Sequence, residues 1–214
     1  MVAKLLRCRP DPRAGRPGYD QQGILDVAVA AFIQYGYDAT SMGVLADRLG
    51  LSKSAIYHHF SSKDEILDRA LDTALGALEG VLEETDAAGG RAADRLDHVL
   101  RGAVHVLVEK LPYVTLLLRV RGNTDVERKA LSRRRAFDRR VTALVSDAQA
   151  EGSLRSDIDV RIVERLLFGM INSIVEWYRP GGREDADRLA DDVVAVVLDG
   201  LRMPTANRVQ ELLG

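Results

Sequence analysis

The chain is short of several things. Its 214 residues include one cysteine, one tryptophan and only 5% aromatic residues. The lone Cys8 has no partner for an internal disulfide, which suits a reducing cytoplasm. No apolar run approaches the ~20 residues that a bilayer-spanning helix needs. The arginine-bearing N-terminus lacks the apolar stretch of a secretory signal. The expected location is therefore cytoplasmic, with no membrane partner. Catalytic signatures are missing as well: there is no G-x-S-x-G, Walker loop, G-x-G-x-x-G, H-E-x-x-H or paired C-x-x-C, so an enzyme is not expected. His58 and His59 are adjacent and point in different directions on a helix. His98 and His105 share a helix face, but no cysteine or carboxylate completes a site with them. Neither a metal nor a cofactor is expected. Sustained β alternation, internal repeats and long low-complexity tracts are also absent.

With 46% hydrophobic and 29% charged residues, the chain can bury a core and stay soluble. The net charge of −2 conceals an asymmetry, because residues 1–63 carry 8 Lys/Arg against 5 Asp/Glu while the remainder carries 22 against 27. A basic front on an acidic body suits a protein that touches nucleic acid at one end. Residues 1–18 hold three prolines, two glycines and five basic residues without periodicity, and are expected to form a disordered basic arm. Such an arm is either a solvated tail or a strap along DNA.

From Tyr19 the pattern is helical. Ile24, Leu25, Ala28, Ala31, Phe32 and Tyr35 share one face, and Gly36 stands where that helix ends. Thr40 or Ser41 caps the next helix, whose apolar side is Met42, Leu45, Ala46 and Leu49, and Gly50 permits a sharp turn. Ser52 caps a third helix through about His59. Ser62 with Glu65 makes a capping box for a fourth, with Leu67, Leu71, Leu75, Leu78 and Leu82 along it. A loop is expected at 85–90. Further helical patterns cover roughly 92–110, 113–120, 124–151, 159–178 and 185–202, with a second capping box at Thr124 and Glu127. The expected fold is all-α, about nine helices: a helix-turn-helix head over residues 19–66 and a helical bundle over 67–214.

In a helix-turn-helix the first helix braces the second, whose N-terminal residues meet base edges in the major groove. Ala46, Leu49, Leu51 and Ile56 are the bracing residues here. Lys53, Ser54, Ala55, Tyr57, His58 and His59 are left facing outward or partly so. Lys53 and Ser54 can reach bases or phosphates, and Tyr57 and His58 can pack on the sugar–phosphate edge. Lys63 with the free N–H groups of the fourth helix offers a phosphate clamp, and Thr40 is placed to do likewise. The candidate DNA-binding set is Thr40, Ser41, Ser52, Lys53, Ser54, Ala55, Tyr57, His58 and Lys63, and the partner is double-stranded DNA.

The stretch GYDATSMGVLADRLGLSKSAIYHHFSSKDEIL resembles the DNA-binding head of the TetR family of one-component transcriptional regulators. The match runs without gaps through Phe32, Gly36, Thr40, Ala46, Gly50, Ser52, Lys53, Ile56, Tyr57, Phe60, Lys63 and Leu67, and spans roughly residues 19–68. One departure is Gly43, where relatives often carry an acidic residue that completes a capping box with Thr40. A glycine inside a helix costs roughly 1 kcal/mol. The resemblance implies a C-terminal domain that dimerises and binds an effector, and a homodimeric repressor that leaves a palindromic operator when the effector binds.

The last two helical patterns point to dimerisation independently. Val163, Leu166, Leu167, Met170, Ile171, Ile174 and Val175 make one apolar over more than one face, and Leu189, Val193, Val194, Val196, Val197, Leu198 and Leu201 do the same for the other. A helix that apolar needs cover on both sides, and two such helices from each subunit supply it. For the effector, residues 116–140 gather Arg119, Arg121, Arg133, Arg134, Arg135, Arg139 and Arg140, and residues 168–182 set Asn172, Ser173, Glu176 and Trp177 among apolar neighbours. Polar groups converging on an apolar cavity suit a small molecule, and clustered arginines suit phosphates. The candidate ligand set is Arg119, Arg121, Arg133, Phe137, Phe168, Asn172, Glu176 and Trp177. Both segments resemble those of TetR-type sensors of acyl-CoA thioesters, including sterol-fragment and aryl-acyl-CoA sensors. The alternatives are a solvated arginine face paired with Asp125, Glu127 and Asp138, a non-CoA hydrophobic effector such as a drug or aromatic acid, and a DNA-binding protein without an effector.

Overall fold

The computed structural model describes residues 20–182 and 184–201, and the described residues form nine α-helices: α1 (Gln21–Tyr35), α2 (Met42–Leu49), α3 (Lys53–Tyr57), α4 (Lys63–Ala88), α5 (Ala92–Glu109), α6 (Leu111–Arg119), α7 (Asp125–Ala150), α8 (Val160–Trp177) and α9 (Ala186–Leu201). The expected basic arm lies outside the described residues.

Local chemistry starts most of these helices. The side chains of Asp20, Ser41, Ser52, Ser62, Thr124 and Asp159 each accept a hydrogen bond from a first-turn N–H and so satisfy a donor that the helix itself leaves orphaned. Two expected capping boxes differ in detail. Glu65 accepts from the backbone N–H of Ser61 at 2.7 Å rather than from the cap Ser62. Glu127 accepts from Gly122 and Asn123 at 2.8 and 2.6 Å rather than from Thr124. In both, the carboxylate reaches past the cap to N–H groups of the entering chain. Gly50 ends α2 at φ 63° and ψ 29°, a left-handed conformation that glycine adopts without a Cβ clash.

The loop expected at 85–90 is shorter than that. Thr85 is buried inside α4, where its hydroxyl donates to the Val81 carbonyl at 2.6 Å, and the helix continues to Ala88 before Gly89 at φ 64°. Pro112 does not break the chain either. It occupies the first turn of α6, where its missing N–H costs nothing, and Lys110 serves both as the end of α5 and the entry to α6.

Helices α1–α3 pack as a head around Ile24, Ala28, Phe32, Leu45, Ile56 and Phe60, each 3% exposed or less. Helix α4 belongs to both parts: it packs on α1 at its start and on α5, α6 and α7 beyond. The boundary expected after residue 66 thus falls within a continuous helix. Helix α5 is the centre of the body, packed by α4, α7, α8 and α9. Gly102 permits its approach to α4, since a Cβ there would lie 2.4 Å from Cγ1 of Val81.

Candidate nucleic-acid interface and internal cavity

The turn between α2 and α3 is closed by Leu51 N–H donating to the Ala46 carbonyl at 3.0 Å, and Ile56, fully buried, pins α3 against the head's core. Because α3 has one buried anchor, its other residues face out. Ser41, Ser52, Lys53, Ser54, Tyr57 and His58 are exposed, and Ala55 is half-buried. Tyr57 keeps about half its surface, at 51% exposure. The Lys53 side chain runs past the start of α2: a Cβ on Gly43 would sit 3.1 Å from Lys53 Cε. Gly43 therefore has a packing role beside the recognition helix, which the sequence presented only as a departure from the family pattern.

Two expected contacts need correction. Thr40 is fully buried, and its hydroxyl donates to the Gly36 carbonyl at 2.8 Å, so it holds the turn between α1 and α2 and presents nothing to a phosphate. Lys63 is turned inward as well. Its Nζ donates to the Tyr37 carbonyl at 2.9 Å and stands 4.0 Å from the centre of the Tyr37 ring, a cation–π contact. The Tyr37 hydroxyl in turn donates to Asp64. Burial, followed by the Asp64 carboxylate, raises the Tyr37 pKa well above the usual phenol value and keeps it a neutral donor. Lys63 and Tyr37 thereby lock the head to the first turn of α4.

In the body, a cavity of about 330 Å³ lies between α4, α5, α6, α7 and α8. Its apolar wall is Leu78, Ala103, Leu107, Val114, Leu117, Leu118 and Ile171, with Phe137 and Phe168 meeting edge to face at 5.4 Å between ring centres. Arg134, Asp138, Glu164, Arg165 and Asn172 supply polar groups. Burial raises the Asp138 carboxyl above its ordinary value against the pull of Arg134 and Arg139. Glu164 is also raised, by burial first and by the Asp138 charge second. A larger crevice, about 540 Å³, opens where α5 begins, beside Gly152–Leu154, but Arg91, Asp94, Asp97 and Ser153 leave it too polar to enclose an apolar ligand.

Of the expected ligand residues, Phe137, Phe168 and Asn172 do line this cavity. Arg119 does not: it donates to the Ile33 carbonyl at 2.6 Å and joins α6 to the head. Arg133 points to α4, where it makes a bidentate pair with Glu79 at 2.9 and 2.6 Å and another bond to Asp72 at 2.8 Å. Arg121 is exposed in the turn after α6, and Glu176 and Trp177 are exposed at the end of α8, away from the cavity wall. Arg134, Asp138, Glu164 and Arg165 also line it but stand outside the expected ligand set, although Arg134 belongs to the arginine cluster and Asp138 is one of the partners expected for it. The alternation Arg133/Arg134 hides which arginine faces inward, because one residue turns a helix by ~100°.

Residues 24–70 match the family described as bacterial regulatory proteins, tetR family, and residues 89–201 match the tetracyclin repressor-like C-terminal domain. The chain belongs to the TetR family. Among TetR-family relatives, the transcriptional repressor KstR2 of Rhodococcus jostii is 32% identical over 204 residues, covering 91% of this chain and 96% of the relative. The crystal structure of the TetR regulator SCO3833 from Streptomyces coelicolor is 53% identical with a TM-score of 0.79, covering 89% of this chain and 94% of that one. The ketosteroid transcriptional regulator KstR2 of Mycobacterium tuberculosis is 25% identical with a TM-score of 0.79, covering 89% and 99%. The protein is thus a DNA-binding transcriptional regulator of the TetR type, and no described helix is long and apolar enough to cross a membrane.

Proposed function

We propose that the protein is a homodimeric repressor that binds a palindromic operator through α3 and is released when a small molecule enters the cavity. The observation that carries this reading is the placing of α6. Val114, Leu117 and Leu118 form cavity wall, while Tyr113 and Arg119 on the same helix hold α1 of the head. Gln22 donates to the Tyr113 hydroxyl at 2.7 Å, and that hydroxyl donates to Asp26. A ligand that displaces α6 acts directly on the head's position. Lys53, Ser54, Tyr57 and His58 are the DNA-contacting side chains in this reading, with Ser41, Ser52 and Ala55 at the backbone edge.

The second copy covers α8. Ile162, Leu166, Met170 and Trp177 are 46%, 64%, 40% and 49% exposed and recur along one side of the helix, whereas Val163, Leu167, Ile171 and Ile174 face the subunit's own core. The outward side of α9 is less apolar than expected, since only Val196 among its large residues stays exposed there, at 66%. In a two-fold dimer the half-sites lie about 34–36 Å apart or at a multiple of that.

The effector combines an apolar body with a polar end, and an acyl-CoA thioester is the class favoured. Apolar walls take the acyl group. Arg134 and Arg165 line the same cavity and suit phosphate oxygens, although their charge is partly answered by Asp138 and Glu164 beside them. The KstR2 relative named for ketosteroids directs attention to polycyclic acyl groups. Selection from random duplex DNA, followed by release with a panel of CoA thioesters, free acids and unrelated drugs, tests the reading. A recovered palindrome released by thioesters supports it. Release by drugs or free acids alone overturns the thioester, and loss of all sequence preference overturns the repressor.

A further inference from the structure

Helices α4 and α7 run side by side in the same direction, joined by a row of ion pairs. Lys129 meets Asp68 at 3.0 Å, Arg133 meets Asp72 at 2.8 Å and Glu79 at 2.6 Å, and Arg140 meets Asp86. The acceptors on α4 and the donors on α7 recur at intervals of four and seven residues, which is the spacing of a single line along a helix. One exposed ion pair is weak. Here Arg133 is bidentate, shared between two carboxylates, and only about a quarter exposed at 26%, so the row has a fixed centre. Asp86 is also gripped by Arg95 of α5, which anchors the far end.

The row spans two different duties. On the α7 side it adjoins the face that carries Arg134, Phe137 and Asp138 into the cavity. On the α4 side it begins just after Lys63 and Asp64, which clasp Tyr37 of the head. Helix α4 itself offers the cavity only Leu78. A ligand therefore reaches α4 chiefly through the helices packed on it, and α7 is the one joined to it by this row of charges.

We infer that the Lys129–Arg133–Arg140 ladder to α4 sets the spacing of the two heads, with Arg133 as a positioning residue that touches neither DNA nor effector. The inference rests on the dimeric operator reading above. A ligand that moves α7 shifts the ladder's register, and α4 carries the shift to the head.

The test uses the full chain, the palindrome recovered by selection, a duplex with one half-site, and palindromes with the spacer one base pair longer or shorter. Arg133→Met is expected to lower the palindrome-to-half-site affinity ratio by about fivefold or more and to shift or flatten the spacer preference. Lys129→Asp lowers the ratio less, and adding Asp68→Lys restores it by remaking the pair in reverse. Equal losses on both duplexes would mark the ladder as a purely structural clamp and overturn the inference, as would an unchanged ratio in every variant. If Arg133→Met does not fold, the Lys129/Asp68 exchange decides alone. A parental protein that prefers neither duplex overturns the dimeric reading itself, and the ladder's role with it.

Discussion

The head and the body of this chain use the same apolar residues for different ends. In the head, Ile24, Leu45, Ile56 and Phe60 are each 1% exposed or less, and the chemistry faces outward from α3. In the body, Phe137, Phe168 and Leu117 leave a cavity, and the chemistry faces inward from Arg134, Asp138 and Glu164, with the exposed Arg165 at its edge. A filled core gives the recognition helix one rigid position. An unfilled core leaves room for a ligand and lowers the resistance to rearrangement. Rigidity where DNA is read and compliance where a molecule enters are what a switch needs.

The comparison breaks most readily at its aromatic anchors. Phe60→Ala should cost about 3–5 kcal/mol, the usual range for emptying a filled aromatic site. Phe137→Ala, which enlarges a space already present, should cost distinctly less. Urea denaturation of both variants checks this, and equal losses would mean that the cavity wall is packed as tightly as the head.

The outward chemistry of the head comes next. Lys53→Ala or Tyr57→Ala should weaken binding to the selected palindrome by about tenfold or more, corresponding to ~1–3 kcal/mol for a base contact, while melting at the parental temperature. Unchanged affinity in a titration would remove α3 as the reading helix. In the body, Gly169 lies on the cavity side of α8, and a Cβ there meets nothing within 4 Å. Gly169→Ala should therefore raise stability by about 1 kcal/mol through helix propensity, without changing DNA affinity.

Gly43→Ala is a finer probe. Helix propensity favours it by up to ~1 kcal/mol, yet the new methyl crowds Lys53 Cε at 3.1 Å. The expected result is a protein at least as stable that binds DNA more weakly, and a gain in affinity would contradict the role given to Lys53.

The smallest effect concerns Asp138, whose carboxyl pKa is raised by burial despite Arg134 and Arg139. A carboxyl raised in the folded state costs stability when ionised. That cost is full above the folded pKa and disappears as the pH falls below the unfolded value near ~3.9. Asp138→Asn should raise Tm slightly at neutral pH and leave it unchanged in acid. A lower Tm at neutral pH would show that the ionised carboxylate is held by a favourable contact.

Legibility followed the range of the interactions. The caps at Ser41, Ser52, Ser62 and Thr124 and the turn at Gly50 were readable because each involves residues only a few positions apart. The outward polar face of α3 followed from the same short-range pattern. Arg133 was misplaced because its partners Asp72 and Glu79 are more than fifty residues away, and nothing local distinguishes it from Arg134. Thr40 was misassigned for a similar reason: a hydroxyl that suits a phosphate suits the Gly36 carbonyl equally, and only its complete burial separates the two. On α9, Val193 and Val197 were indistinguishable from Val196 until α5 packed against one side.

By itself, the sequence determined the all-helical class, the order of helices, and the polar face that α3 turns outward, since helix periods, caps and glycine turns act within a few residues. Only the tertiary structure decided which arginines enter the cavity, which bind α4 and which hold the head. Those assignments depend on the rotation of α7 and α8 about their own axes, which is settled by what packs against them from distant parts of the chain.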